Sequence, residues 1–270
     1  MLRRTLRDWS FSLARDVCFS DRPQVSFVIP HRGSDRQSLL ELTIRSIASL
    51  EGDVECIVVE QDRNQCLRDL PGNTLHTHLP HPSGDQRWHK CYAFNEGAKL
   101  ARGRIVVCHD GDLLMPQRYL DVIVEHLMRR EQDVVYPQRF LYYLSEGTTQ
   151  RLIAEQSTEP LLQETPVMVK QNWTGGTLAI TKDAFERVGG FDESFTGWTG
   201  EDREFYDRCH ALNGWFFGYV PFLHLWHPPQ SGRVDSEARR KANEFTQQKL
   251  AIDRAERIRL LNDSRLTEST

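Results

Sequence analysis

Between residues 25 and 112 short β-branched runs alternate with helical patterns, and this alternation restricts the fold more than any other feature. Residues 25–30 read as a first strand, with Pro30 as its expected stop. Residues 54–60 read as a second, and the run from Ile105 to Val107 as another; all are rich in Val and Ile. Leu39, Leu42, Ile44, Ile47 and Leu50 fit one helix, residues 84–101 a second, and residues 74–79 form a weaker strand. Strands separated by helices run parallel through right-handed crossovers. The expectation is therefore an α/β fold: a Rossmann-like, mostly parallel sheet flanked by helices. Ligands bind at the strand ends of such sheets. The loops there collect Arg32, Glu60, Asp62, Asp110 and Asp112.

The run from Ile105 ends in Asp110-Gly111-Asp112. Two carboxylates one residue apart, on a turn eased by glycine, can share a hard divalent cation. Such a cation keeps positions for phosphate oxygens. A solvated Asp-Gly-Asp turn has the same sequence, so both readings stand at this point. The chain contains no G-x-G-x-x-G and no Walker A glycine loop, which argues against a standard dinucleotide site and a P-loop.

The net charge of -4 argues against a non-specific nucleic-acid binder. The six cysteines form no C-x-x-C pair and read as thiols of a reducing compartment. No apolar run approaches the ~20 residues needed to cross a bilayer. The start is too polar for a cleavable signal peptide. The expected location is cytoplasmic. Residues 1–19 are basic and carry Leu2, Leu6, Trp9, Leu13 and Val17 at roughly helical spacing. A helix packed on the main body is favoured, because Asp8 and Asp16 dilute the basic face. Peripheral contact with the cytoplasmic membrane face is the alternative.

Further along, residues 116–130 read as a helix with Pro116 in its first turn. Residues 134–136 and 140–144 read as short strands. Residues 145–170 show no clear period; a surface excursion is the default reading, and a mobile loop or lid the alternative. Gly175 and Gly176 then lead into a strand ending at Thr181, and without side chains they let a backbone or a sugar approach closely. A helix over 182–188 closes on Gly189 and Gly190. Residues 191–202 bring two glycines, Trp198 and the acidic pair Glu201-Asp202 to the start of another helix. Residues 215–220 and 222–226 read as strands, and 236–261 as one long charged helix.

Gly175-Gly176, Thr181-Lys182, Phe185, Gly190-Phe191 and Gly197-Trp198-x-Gly200-Glu201-Asp202 agree in type and spacing with one group of enzymes. The chain resembles a GT-A fold nucleotide-sugar glycosyltransferase. Its C-terminal half most resembles the β-galactosyltransferase and N-acetylgalactosaminyltransferase group. Ile29-Pro30-x-Arg32 is similar to that family's first nucleotide-contacting loop, and Lys90 with Asn95-x-Gly97 to its helix facing the diphosphate. Asp110-x-Asp112 sits where the family carries its metal-binding D-x-D. The resemblance spans roughly residues 25–228. His31, Thr199 and Arg203 depart from the family pattern, which bears on the acceptor and donor sugar, not on the reaction class.

The resemblance implies one domain, with an N-terminal segment (1–24), a nucleotide-binding half (25–112), an acceptor and metal half (113–232) and a C-terminal helix (233–270). It implies metal-dependent, inverting transfer of a hexose or N-acetylhexosamine from a UDP-sugar to a hydroxyl of a glycan or lipid-linked glycan. Mn2+ or Mg2+ would be held by Asp110, Asp112 and His227. Pro30, Arg32, Glu60, Asp62, Lys90, Asn95, Asp110 and Gly111 would contact the nucleotide. Gly175, Gly176, Trp198 and Gly200 would contact the sugars. Asp202 would be the general base, with Glu201 orienting the acceptor. The alternative for this acidic pair is simple stabilisation of a helix N-terminus.

His224 and His227 are three apart in an extended stretch, where side chains alternate. Only one of them can then easily serve the metal; Pro228 keeps His227 extended, and the resemblance implies His227 as the ligand, with His224 packed structurally. Two other classes compete: a nucleotide-sugar-binding module without catalysis, and a glycoside hydrolase. The latter needs two carboxyls ~5–9.5 Å apart and leaves the strand-end acids unexplained.

Overall fold

The computed structural model describes residues 2–84, 87–197, 200–228 and 236–268. The expected parallel sheet is present. Strand β1 (Val25–His31) lies between β2 (Val54–Glu60) and β4 (Ile105–His109), parallel to both, and β3 (Leu75–His78) lies outside β2. Every residue of β1, β2 and β4 is buried. A strand covered on both faces needs apolar residues at successive positions, which is why these runs do not alternate. Helix α2 (Gln37–Ala48) packs Leu40, Ile44 and Ile47 with Phe27, Ile29 and Val58. Helix α3 (Lys90–Leu100) packs Ala93, Phe94 and Ala98 with Val28, Val59 and Val106. Gly97 permits that contact, since a Cβ there would stand 2.3 Å from Cγ1 of Val28.

Beyond this heart the sheet changes direction. Strand β9 (Thr177–Thr181) runs antiparallel to β4 and to β6 (Val134–Val135), and β10 (Gly214–Trp215) pairs with β6 at the edge. The order is β10-β6-β9-β4-β1-β2-β3. A second sheet holds β5 (Leu113–Leu114), β11 (Val220–His224), β7 (Gln138–Tyr143) and β8 (Met168–Gln171), in that order. β4 belongs to the first sheet and β5 to the second, so Asp110-Gly111-Asp112 is the crossing between them.

Several boundaries differ from expectation. Pro30 does not stop β1, which continues to His31 opposite Glu60. β4 pairs with β1 only as far as Val28, so the missing N–H falls where one neighbour has already parted. The helix expected from residue 84 starts at Lys90. Residues 145–170 are ordered secondary structure: α5 (Glu146–Glu155), a 3-10 turn (Glu159–Gln163) and the start of β8. Ser145 caps α5 by accepting the Thr148 N–H, and the helix buries only Thr149 and Leu152, too little to leave a period. At the N-terminus only Leu2–Asp8 is helical, with Leu2 buried. The expected helix over 116–130 is α4 (Tyr119–Val124), running into a π-helical turn at Glu125–Arg129. The long final helix is two, Ser236–Ala251 and Arg254–Glu268. Asp253 divides them, its carboxylate accepting the Ala255 N–H. Among the described residues no helix is long and apolar enough to cross a membrane.

Helix α6 (Lys182–Arg187) is capped by Thr181, which accepts the Ala184 N–H. Helix α7 (Glu201–Cys209) is held by charge. Glu204 pairs with Arg208 at 2.7 Å and with Arg257 of the last helix at 2.6 Å. Arg208 also donates to the Gly190 carbonyl at 2.6 Å. Glu204 and Arg208 are both buried. Removing one partner of a buried pair leaves the other uncompensated, a loss of about 3–5 kcal/mol. Glu204→Ala is accordingly expected to lower stability by roughly that amount, measured by urea unfolding. A loss below about 1 kcal/mol, typical of exposed pairs, would refute this account of how α7 is anchored.

Candidate active site

The crossing between the sheets is fixed at both ends. His109 is fully buried, and its Nδ1 and Nε2 bond Oγ1 of Thr177 and the Leu113 carbonyl. The Asp110 N–H donates to the Gly176 carbonyl at 2.8 Å, and the Leu225 N–H donates to the Asp112 carbonyl at 2.9 Å. Asp112 is thereby held beside the end of β11.

There it meets two histidines. Nε2 of His227 lies 3.2 Å from Oδ2 of Asp112, and Nε2 of His224 lies 3.9 Å from Oδ1. Ligand atoms of all three residues lie within 4.8 Å of one another. The expected split of the two histidines to opposite faces is therefore corrected. Alternation holds only within a strand; β11 ends at His224, and the chain beyond it brings His227 back to the same carboxylate. Each imidazole Nδ1 donates to a backbone carbonyl, His224 to Leu225 at 2.7 Å and His227 to Pro228 at 2.9 Å. A carbonyl can only accept, so each Nδ1 carries a proton and each Nε2 is the ring atom turned toward Asp112. Burial alone would raise the Asp112 carboxyl, but His224, His227 and Arg36 outweigh it and hold the group well below the usual range. Burial lowers His224, favouring its neutral, metal-binding form. Two imidazoles and a carboxylate suit a divalent first-row ion.

This trio forms part of the wall of a cleft of about 790 Å³. Pro30, Arg32, Lys90, Asp110 and Gly111 line it as well, as do His31 and Arg36. Burial pushes His31 down to about 4, so a neutral ring faces this space, its Nε2 bonded to the Gly33 carbonyl. Arg36 reaches to 3.5 Å from Asp112.

Asp110 lines this cleft and also meets Lys90. Its Oδ1 is 3.0 Å from Nζ of Lys90, and the same ammonium lies 3.4 Å from Glu201 and 3.3 Å from Asp202. Burial alone would push Lys90 down, but the three carboxylates hold it well above its ordinary value. Burial and the Asp202 charge push Glu201 up to about 7, against the pull of Lys90. Asp202 and Asp110 also line a small niche with Gly175, Gly176 and Tyr136. Gly175 adopts φ +119°, and a Cβ there would come within 2.7 Å of the Asp202 carboxylate. Glycine is needed at this position for the acid to sit where it does. The Tyr136 hydroxyl accepts the Gly175 N–H at 2.8 Å and bonds the Trp173 carbonyl, fixing that turn.

Some predicted contacts lie away from the cleft. Glu60 is fully buried, accepting the Leu67 N–H at 3.1 Å and bonding His76 at 2.8 Å. Asn95 is buried too, bonding both backbone groups of Phe191 and the Glu193 carboxylate. Both brace loops. Asp62 pairs with Arg32 at 3.7 Å. Gly200 immediately precedes α7 against Thr246, where a Cβ would meet the threonine at 2.5 Å. Trp198 lies outside the described residues. The H-x-x-H spacing is the signal for His224; Arg36 and Tyr136 carry none.

The profile of glycosyl transferase family 2 matches residues 26–189, more than half of the chain. The chain belongs to glycosyl transferase family 2. A second profile, the N-terminal domain of galactosyltransferase, matches residues 166–222. No curated protein sequence matches significantly. Among solved structures, a mannosyltransferase from Pyrobaculum calidifontis in complex with GDP-Man and Mn2+ is similar at 18% identity and TM-score 0.49, over 86% of this chain and 64% of that one. This chain thus spans less than two thirds of that enzyme's length. The catalytic domain of Drosophila beta1,4galactosyltransferase 7, in complex with xylobiose, is similar at 17% identity and TM-score 0.42, over 79% and 74% of the two chains.

In this family 2 member the raised Glu201 carboxyl sets a pH dependence. The folded group holds its proton up to about 7, whereas the unfolded one releases it near 4.5. Its contribution to stability is full below 4.5 and is lost as pH rises through 7. Glu201→Gln should therefore melt like the parent at pH 5 and be more stable at pH 8, by on the order of 1–3 kcal/mol. Equal melting differences at the two pH values would contradict the buried, protonatable carboxyl.

Proposed function

We propose that this glycosyltransferase is metal-dependent and inverting, moving a hexose or N-acetylhexosamine from a UDP-sugar to a hydroxyl of a glycan or lipid-linked glycan. The observation that carries the reading is the pairing of two chemistries across one ammonium. Asp112, His224 and His227 converge in the cleft, and Asp110, Glu201 and Asp202 gather on Lys90, which lines the same cleft. The match to a galactosyltransferase domain supports a UDP-hexose donor and an acceptor-binding second half.

Asp112, His224 and His227 would hold Mn2+ or Mg2+. When bound, a divalent ion supplies Lewis-acid stabilisation of the leaving diphosphate. Arg32, Arg36 and Lys90 bring positive charge to the same cleft and suit the phosphate oxygens. Asp202 takes the proton of the acceptor hydroxyl as that oxygen bonds to the anomeric carbon. The bond from that carbon to the diphosphate breaks at the same time, on the opposite face, so the configuration inverts. Glu201 orients the acceptor beside it. We place the reaction on the cytoplasmic side, with Arg3, Arg4 and Arg7 helping the chain approach a lipid-linked acceptor at the membrane face.

A panel of UDP-sugars with Mn2+, read by thermal stabilisation and by turnover, tests the proposal. Asp112→Ala is expected to remove the Mn2+-dependent part of UDP binding; an unchanged affinity would defeat the cation site. Asp202→Asn is expected to retain donor binding while kcat falls by about 10²–10⁴. Near-normal turnover in that variant would move the base to another residue.

A further inference from the structure

His224 closes β11, and its register partner on β7 is Tyr143. Residues opposed on neighbouring strands face the same side. The two rings accordingly stack, with centroids 4.3 Å apart and planes 20° from parallel. One strand further, Lys170 of β8 pairs with Leu141 and so stands diagonal to Tyr143, which pairs with Met168. Its ammonium lies 5.0 Å from the Tyr143 ring centroid and 3.8 Å from that of Trp173. Rows of rings and a cation across three strands hold the middle ring in place.

A hydrogen bond to the Leu225 carbonyl fixes the His224 tautomer. It does not by itself fix the ring plane, because the terminal torsion of histidine is broad. The stacked tyrosine supplies that second restraint. We infer that Tyr143 is a positioning residue for the cation centre: it sets the plane of the His224 imidazole so that Nε2 faces Asp112. The inference rests on the reading of Asp112, His224 and His227 as a metal site. Partners of this kind around a ligand typically change metal affinity by about 10–100-fold when removed. Phenylalanine preserves the stacking ring, so Tyr143→Phe separates the part of the ring from that of the hydroxyl.

The test is Mn2+ affinity of the full chain without nucleotide, read by water-proton relaxation, with a thermal melt of each metal-free variant alongside. Tyr143→Ala is expected to weaken Mn2+ binding about 10-fold or more, and Tyr143→Phe to bind within about twofold of the parent. Tyr143→Leu keeps apolar bulk on β7 and should show the same loss as alanine, which covers the case in which the alanine variant does not fold. If Tyr143→Leu or Tyr143→Ala binds Mn2+ as the parent does, the positioning role is overturned and the metal site stands. If Tyr143→Phe loses as much as Tyr143→Leu, the ring stack is not the restraint and the inference falls. If the parent itself binds no Mn2+, the metal reading fails and takes the inference with it.

Discussion

The site depends on one chain crossing. β4 ends in the seven-stranded sheet and β5 begins in the four-stranded one, and three residues separate them. A turn that short cannot carry its acids away from either sheet. Asp112 must stand beside the end of β11, where its carbonyl accepts the Leu225 N–H, and Asp110 beside the start of β9, where its N–H donates to the Gly176 carbonyl. The two carboxylates thus part company. One meets histidines contributed by the end of β11, and the other meets Lys90 at the start of α3. An acid pair that looks like a single ligand set in the sequence is divided between two jobs by the geometry of two sheets.

Lys90 makes this arrangement bearable. Taking an ammonium out of water costs several kcal/mol. A carboxylate at about 4 Å returns on the order of 4 kcal/mol where the effective dielectric is near 20. Three carboxylates at 3.0, 3.4 and 3.3 Å therefore outweigh the loss, and the lysine stays charged. The same reasoning explains why the acids on α7 are tolerated so near Asp110: without the ammonium, three negative groups would face one another in a partly dry niche. The crossing and the start of α7 are thereby tied by a single side chain whose partners are 20 and more than 110 residues away in sequence.

Much of the fold was legible because burial on both faces writes itself as unbroken β-branched runs, and β1, β2 and β4 begin where their composition marked. The four-stranded sheet was harder. β5 is two residues long and β8 is half-exposed at an edge, so neither leaves a pattern. Residues 145–170 lacked a period because α5 touches the core at only two positions. Of the residues that line the cleft, Arg32 and Asp112 could be named from the strand-end loops, and Lys90 and His227 from the family resemblance. His224 was misplaced by extending strand alternation past the strand's end. Glu60 and Asn95 were credited to the nucleotide because polar residues at strand ends and helix faces look available, whereas both are consumed in bracing loops. Nothing local marks that difference; it depends on chain segments packed over them.

The acidic pair on α7 had a plain alternative, that it merely favours a helix N-terminus. Such a role stabilises by about 0.3–1 kcal/mol and lowers a carboxyl's pKa. Glu201 goes the other way, from 4.5 to about 7, because burial and Asp202 oppose its charge more than Lys90 supports it. That rise corresponds to roughly 3 kcal/mol against the ionised form, well beyond what a helix end returns. α7 therefore carries Glu201 at a net cost. Glu204, Arg208 and Arg257 meet that cost further along the same helix, binding it to the C-terminal helix and to the turn at Gly190. A nine-residue helix holding a strained carboxyl at its start and a buried ion cluster at its centre is positioned by its anchor, not by its own propensity. The charged C-terminal segment, featureless as a sequence, is thus what keeps Glu201 and Asp202 facing Lys90.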